Sequence, residues 1–357
     1  MIRLLVRRSI DASYLTSDPA RELDGLRDGD AGWWLRGTGD AADAREVEGV
    51  FSASSRSTVV GYDVVVAAPR PVSILVALDP EHAGAVVAAH RASVAAAIDY
   101  LEQRALVVRD RRGGEDLDIA AQWKSMVGFT HGVNRHGEPH LHDHVLVGAG
   151  PEGASHGLDS RALFAHVPAA DALYRSSLRH EVARRTAWVA WRSFNAVELV
   201  AGLDEGYRAL WGGHHDERGE KRHWERRDAT RSWAQDRTRY EAQGVVPAPQ
   251  PRTTLDEHAF AGALEGRYDV ARRHLVEAWA NATVFGQSPA DLQRSLDELF
   301  PQLAGARGVR ELTVGVGEAR MVGIVRERGP RPLRHDEFAQ WTQRSRDRSW
   351  SRADLSR

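Results

Sequence analysis

With 357 residues, 42% of them hydrophobic, and a formal net charge of −2, the chain is long enough to bury a sizeable core and is not basic overall. The absence of cysteine excludes disulfides and thiolate metal sites, leaves only nitrogen and oxygen donors for any metal, and suits a cytoplasmic protein. Only Lys124 and Lys221 are lysine and neither follows a glycine, which excludes a Walker phosphate loop; no signal-peptide core opens the chain, and no run approaches the ~18 apolar residues of a membrane span.

Residues 58–67 are rich in valine and predict a strand. Asp79 as N-cap and Pro80 at the first helical position predict an alanine-rich helix that ends near Arg104. A short strand at 105–109, a turn at 109–116 and one or two strands across 117–131 follow. The polar stretch 132–139, with glycine and proline, then turns the chain back into a strand at 140–148, making a hairpin.

Further on, Ala172, Leu173, Leu178 and Val182 recur near helical spacing and predict an amphipathic helix from 168 to about 186. The charged segment 215–243 reads as helical, and its part from 223 to 240 interleaves Trp224, Trp233 and Tyr240 with arginines, a mixture that suits either single-stranded nucleic acid or a solvated helix. The prolines of VVPAPQP mark a linker and place a domain boundary there, giving units 1–245 and 246–357. In the second unit Ser288 and Pro289 cap a helix, 311–325 predicts a hairpin, and 344–357 is a polar tail.

The densest chemistry lies in HGVNRHGEPHLHDH, which holds His131, His136, His140, His142 and His144, where an even spread of the 16 histidines would put fewer than one. Side chains at i and i+2 of a strand share a face, so His142 and His144 project together. An antiparallel hairpin brings His131 beside them, making three neutral nitrogen donors on one sheet face with coordination positions left open. His140 has the same parity and is a candidate fourth ligand, while His136 is turn material. Asp63 sits on the predicted strand at 58–67, with Tyr62 on the opposite face. Arg70 and Arg135 fall in predicted turns beside this group, as phosphate contacts or as solvated turn residues.

A three-histidine site fits several hydrolytic chemistries. FTHGVNRHGEPHLHDHVLVG resembles the metal-binding motif of the MobF-type conjugative relaxases, which belong to the HUH endonucleases. GYDVVVAAPRPVSILVAL resembles the strand and Ala-Pro-basic turn of that family, and LDSRALFAHVPAADALYRSSLRHEVARRTAWVAW the helix and strand after the metal motif. The resemblance spans roughly residues 10 to 300 in the family's order. It implies an α+β fold, a central and mainly antiparallel sheet flanked by helices (the palm, 1–245), with a mostly helical C-terminal fingers region (246–357).

The resemblance also implies an activity: site-specific nicking and rejoining of single-stranded or hairpin DNA at an origin of transfer. His131, His142 and His144 would hold Mg2+ or Mn2+, Tyr14 in DASYLTSD would attack the phosphate, and Asp63 would help deprotonate the tyrosine or orient a histidine. The implied protein partners are a separate helicase and a type IV secretion coupling protein. The chain departs from the family in having Ser13-Tyr14 where a tyrosine pair is common, in a short Tyr14 to Asp63 interval, and in Ala-Ala-Pro-Arg-Pro where Ser-Ala-Pro-Lys-Ser is usual. Without a Walker motif it reads as the relaxase part alone. A phosphodiesterase using water at the same metal and a relaxase reduced to DNA binding are the competing readings.

Overall fold

The computed structural model describes residues 1–9, 11, 15, 33–36, 50, 58–112, 115–134, 138–150, 158–186, 191–194, 197–200, 203, 231, 235, 238, 255–267, 269–304, 310–313, 319–322, 325–326 and 329–330. The first half contains β1 (Ile2–Arg7), β2 (Trp33–Arg36), β3 (Gly61–Ala67), α1 (Arg70–Leu78), α2 (Ala83–Ala105), β4 (Val107–Arg112), β5 (Glu115–Ala120), β6 (Met126–Val133), β7 (Pro139–Gly148) and α3 (Ser160–Thr186). Five of these strands form the central sheet in the order β1-β3-β7-β6-β2, every neighbouring pair antiparallel. β4 and β5 pair with each other as a separate hairpin. The resulting α+β architecture, an antiparallel sheet flanked by helices, matches the expected class.

The valines of β3 favour extended backbone because their branched Cβ restricts χ1. Val64 and Val66 point into the main core, which α2 and α3 cover from one side of the sheet with Val86, Val94, Ile98, Leu163 and Tyr174. Alanines at 89, 97, 169, 170 and 172 are buried there as well, allowing the two helices to approach each other and the sheet closely. The opposite face has its own small cluster of Leu15, Val50, Val127, Phe129 and Leu146.

Two elements go beyond the periodicity of the sequence. β1 is a short edge strand, and α1 is built from an apolar run, Val72 to Leu78, that is buried throughout and so carries no helical period. Pro69 at the N-cap and Pro71 in the first turn set the start of α1, so Arg70 is its first residue and not part of a turn. α2 correspondingly starts at Ala83. Asp79 ends α1 as its C-cap, and its carboxylate accepts the His82 backbone N–H at 3.3 Å, so the expected helix start is the joint between two helices. α3 begins roughly two turns before the expected position, because Pro168 lies inside it. The carbonyl that proline leaves without a helical donor belongs to Phe164, on an exposed turn.

Behind α3 lie β8 (Trp191–Phe194) and β9 (Val197–Val200), then α4 (Glu257–Leu264), β10 (Asp269–Ala271), α5 (Arg272–Ala282), α6 (Pro289–Ala304), β11 (Arg310–Thr313), β12 (Ala319–Val322), β13 (Val325–Arg326) and β14 (Gly329–Pro330). Ser288 caps α6 by accepting the Asp291 N–H at 3.1 Å, and β11 pairs with β12 within the expected hairpin. Phe260, Leu275, Leu292 and Leu296 continue the apolar core of the first half. The buried Arg179 of α3 fixes this junction, donating to Glu198 at 2.6 Å and to the carbonyls of Ala280 and Thr283 at 3.1 and 3.0 Å. Those carbonyls belong to the end of α5, where a cation meets groups that lack helical donors. Gly286 turns beside them with φ of +80°, and a Cβ there would come within 2.3 Å of the Ser176 carbonyl oxygen. The boundary at 245/246 and the tail 344–357 lie outside the described residues, as does 215–243 except for helical Arg231, Gln235 and Thr238.

Candidate metal centre

The register of the sheet explains why the histidines meet. His131 of β6 is the direct cross-strand partner of His142 in β7, and His144 follows two residues along the same face. One side-chain atom from each of His131, His142 and His144 lies within 4.8 Å of the others, and the ring centroids are 5.1 to 5.4 Å apart. Asp63 of β3 shares this face by parity. Both of its carboxylate oxygens lie 3.0 Å from Nδ1 of His144.

These contacts select tautomers. His144 donates Nδ1–H to Asp63, and His142 donates Nδ1–H to the His140 carbonyl at 2.7 Å, so the lone pair of each ring lies on Nε2. Burial pushes the pKa of His142 down to about 2, with the rings of His140, His144 and His131 acting in the same direction and the bond to the His140 carbonyl opposing them. Neutral nitrogen donors are what a divalent cation requires. The group therefore fits a divalent metal held by imidazole nitrogen.

His140 stands apart from the triad. Its ring packs on His142 at 4.7 Å between centroids, tilted by 39°, but it is not in the group of converging donors. Burial lowers its pKa, and the nearby positive charges of the N-terminus, Arg70 and Arg3 add to that. Tyr14, Arg135 and His136 lie outside the described residues. Leu15, the chain neighbour of Tyr14, is buried on the histidine face, and its carbonyl oxygen is 3.4 Å from Nε2 of His131. Tyr62 points into the main core.

Directly behind the site is a feature the sequence conceals. Asp143, between the two histidines of β7, faces the helices and is fully buried, with Oδ1 3.3 Å from Nε2 of His90 in α2. The other nitrogen of His90 lies 2.7 Å from the hydroxyl of Tyr174 in α3. Burial, and next the charge of Asp143, holds Tyr174 protonated, so its O–H donates to Nδ1 and the His90 Nε2–H faces the carboxylate. Residues 84 apart make that bond, and no local period encodes it. Asp79, Glu81 and His82 also come close enough to hold a cation, but they form the helix joint already described, with His82 Nδ1 3.2 Å from both Asp79 oxygens.

A family profile described as TrwC relaxase matches residues 16–259. Among solved structures, the metal-bound conjugative relaxase TrwC in complex with oriT DNA is similar in fold, with a TM-score of 0.50 and 17% identity over 84% of this chain and 99% of that one. The copper-bound conjugative relaxase TrwC in complex with oriT DNA matches with a TM-score of 0.50 and 17% identity over 85% of this chain and 98% of that one. No curated protein matches the sequence.

Proposed function

The chain belongs to the TrwC relaxase family, and from that premise we propose that it nicks and rejoins one strand of DNA at an origin of transfer, in the cytoplasm, to initiate conjugation. The observation that carries this reading is the convergence of His131, His142 and His144 on one sheet face, with Asp63 bonded to the back of His144. Among the described residues no helix is long and apolar enough to cross a membrane.

Tyr14 is the nucleophile in this reading. Support comes from its neighbour: the Leu15 carbonyl lies against His131, and adjacent Cα atoms are separated by only about 3.8 Å. The phenol gives up its proton to water, its oxygen forms a bond to phosphorus, the P–O3′ bond breaks, and the departing 3′ oxygen takes up a proton from water, which leaves a 5′-phosphotyrosine and a free 3′-OH. The ester keeps the energy of the phosphodiester, so the reverse attack by a 3′-OH rejoins the strand. Asp63 acts by fixing the His144 ring, because both its oxygens face Nδ1 and it is buried. Arg70 and Arg135 hold phosphates of the bound strand. A divalent cation on the three histidines, Mn2+ or Mg2+, supplies Lewis-acid neutralisation of the non-bridging oxygens. Three imidazoles suit Mn2+ better than the harder Mg2+.

The test uses labelled single-stranded oligonucleotides tiling the DNA around the encoding gene, incubated with the protein and Mn2+ and run on a denaturing gel. A covalent adduct that maps to the Tyr14 peptide and disappears in Tyr14→Phe, with DNA binding retained, is the expected result. Cleavage without adduct would instead identify a water-using phosphodiesterase, and a shift seen only on native gels a binding module.

A further inference from the structure

A cavity of about 820 Å3 opens beside the metal centre, at the end of the sheet where β3 leaves and β7 enters. Its size falls within the ~300–1,000 Å3 range of small-molecule sites. Flat apolar surfaces from Pro69, Pro71 and Pro139 line it, and the half-buried His140 ring contributes the wall shared with His142. Exposed Arg3 and Arg70 reach the same cavity from β1 and α1.

Register ties this cavity to the histidines. Arg3 pairs with Val65, and Val65 pairs with His144, so Arg3 stands on the histidine face two strands, roughly 10 Å, from a metal-binding ring. Of the three carboxylates on the wall, Asp171 is paired with Arg175 and Glu198 with Arg179, while Glu138 accepts from the neutral Asn134 amide and keeps its charge. Arg3 and Arg70 then bring two positive charges to the cavity against the one negative charge of Glu138. Apolar rings beside two cations match a nucleobase and its phosphate, because bases stack on histidine and any base offers a π face.

We infer that this cavity is a nucleotide subsite: it takes the base of a nucleotide next to the scissile phosphate, stacked on His140, with that nucleotide's own phosphate held by Arg3 and Arg70. The inference rests on the reading of the metal centre as the site of strand cleavage. It gives His140 the role of a stacking platform in place of a fourth metal ligand, and it makes the subsite tolerant of base identity.

Photo-crosslinking tests this without knowledge of the origin sequence. The 357-residue protein with Mn2+ is irradiated with a 12-nucleotide oligodeoxyuridine carrying 5-iodouracil, and the crosslinked peptides are mapped by mass spectrometry. Crosslinks are expected at residues 67–74 and 138–140 as well as near His131. His140→Ala should lower the crosslink yield at residues 67–74 roughly tenfold, His140→Phe should restore it, and neither should change Mn2+ affinity. Crosslinks near His131 with none at the cavity, or equal loss in the Ala and Phe variants, would overturn the subsite alone. A loss of Mn2+ affinity in both variants would return His140 to the metal, and an absence of crosslinks at both places would reject the reading of the metal centre itself.

Discussion

His131, His142 and His144 stand on one face of the sheet, with the Nδ1 bonds of His142 and His144 placing their lone pairs on Nε2, whereas His90 of α2 and His166 of α3 each meet a tyrosine hydroxyl. Both settings are desolvated enough to favour neutral imidazole at His142 and at His166. The consequences differ. On the sheet face neutrality suits the ring to a cation, and in the helical layer it lets a ring nitrogen pair with a tyrosine hydroxyl of the neighbouring helix. The same side chain is thus a candidate metal ligand on one side of a single sheet and a packing partner on the other, and what separates the two settings is what the second nitrogen faces.

The largest expected effect would come from His142→Ala. Removing one of three donors should weaken Mn2+ binding more than about a hundredfold, while the stability of the metal-free protein changes by less than about 1 kcal/mol. Titration calorimetry and urea unfolding in chelator measure the two quantities separately. His142 is a cleaner choice than His144, whose loss would strip Asp63 of the ring that both its oxygens face. A large loss of metal-free stability would break the comparison by making the open-face ring structural too.

His90→Ala should show the reverse pattern. It opens a hole between the Asp143 carboxylate and the Tyr174 hydroxyl in a fully buried site, which should cost about 2–5 kcal/mol in urea unfolding. Mn2+ should still bind at low temperature, where the variant remains folded. Unchanged stability would mean that water or rearrangement satisfies Asp143, and the contrast between the two faces would fail.

The histidine face was the more legible of the two, for physical reasons. His142 and His144 reveal themselves through strand parity, and His131 through a hairpin closed by a short polar turn, all local features. Asp63 stood out by resemblance, and the register then placed it behind His144. By contrast, the His90 contacts join α2, α3 and β7 through tertiary packing alone, and Asp143 lies within the histidine motif with nothing in the sequence to show that its side chain turns away to a partner. α1 was hidden for a related reason: an element buried on all sides loses the period that marks a helix. Arg70 was misplaced with it, since Pro69 and Pro71 mark a turn and a helix start equally well.

The smallest effect concerns His166, and it sharpens the comparison by pH. His166 lies 3.0 Å from the Tyr100 hydroxyl, and its pKa is lowered to about 4 by burial first, then by Arg273, Arg104 and His274. His274, whose Nδ1 accepts the Ala271 N–H, is likewise lowered to about 4. In the unfolded chain both would titrate near 6.5. Between pH 6.5 and 4 the unfolded state therefore binds more protons than the folded one, so stability falls as the pH falls through that window. His166→Gln keeps a hydrogen-bond partner for Tyr100 without titrating, and should lose less melting temperature than the parent between pH 7 and pH 5, with His166→Gln/His274→Gln losing less still. Chelator must be present so that metal release does not contribute, and His142 then adds the same acid sensitivity to every variant. Identical losses in all three proteins would show that the helical-layer histidines do not resist protonation, and that burial there does not hold imidazole neutral as it does beside the metal centre.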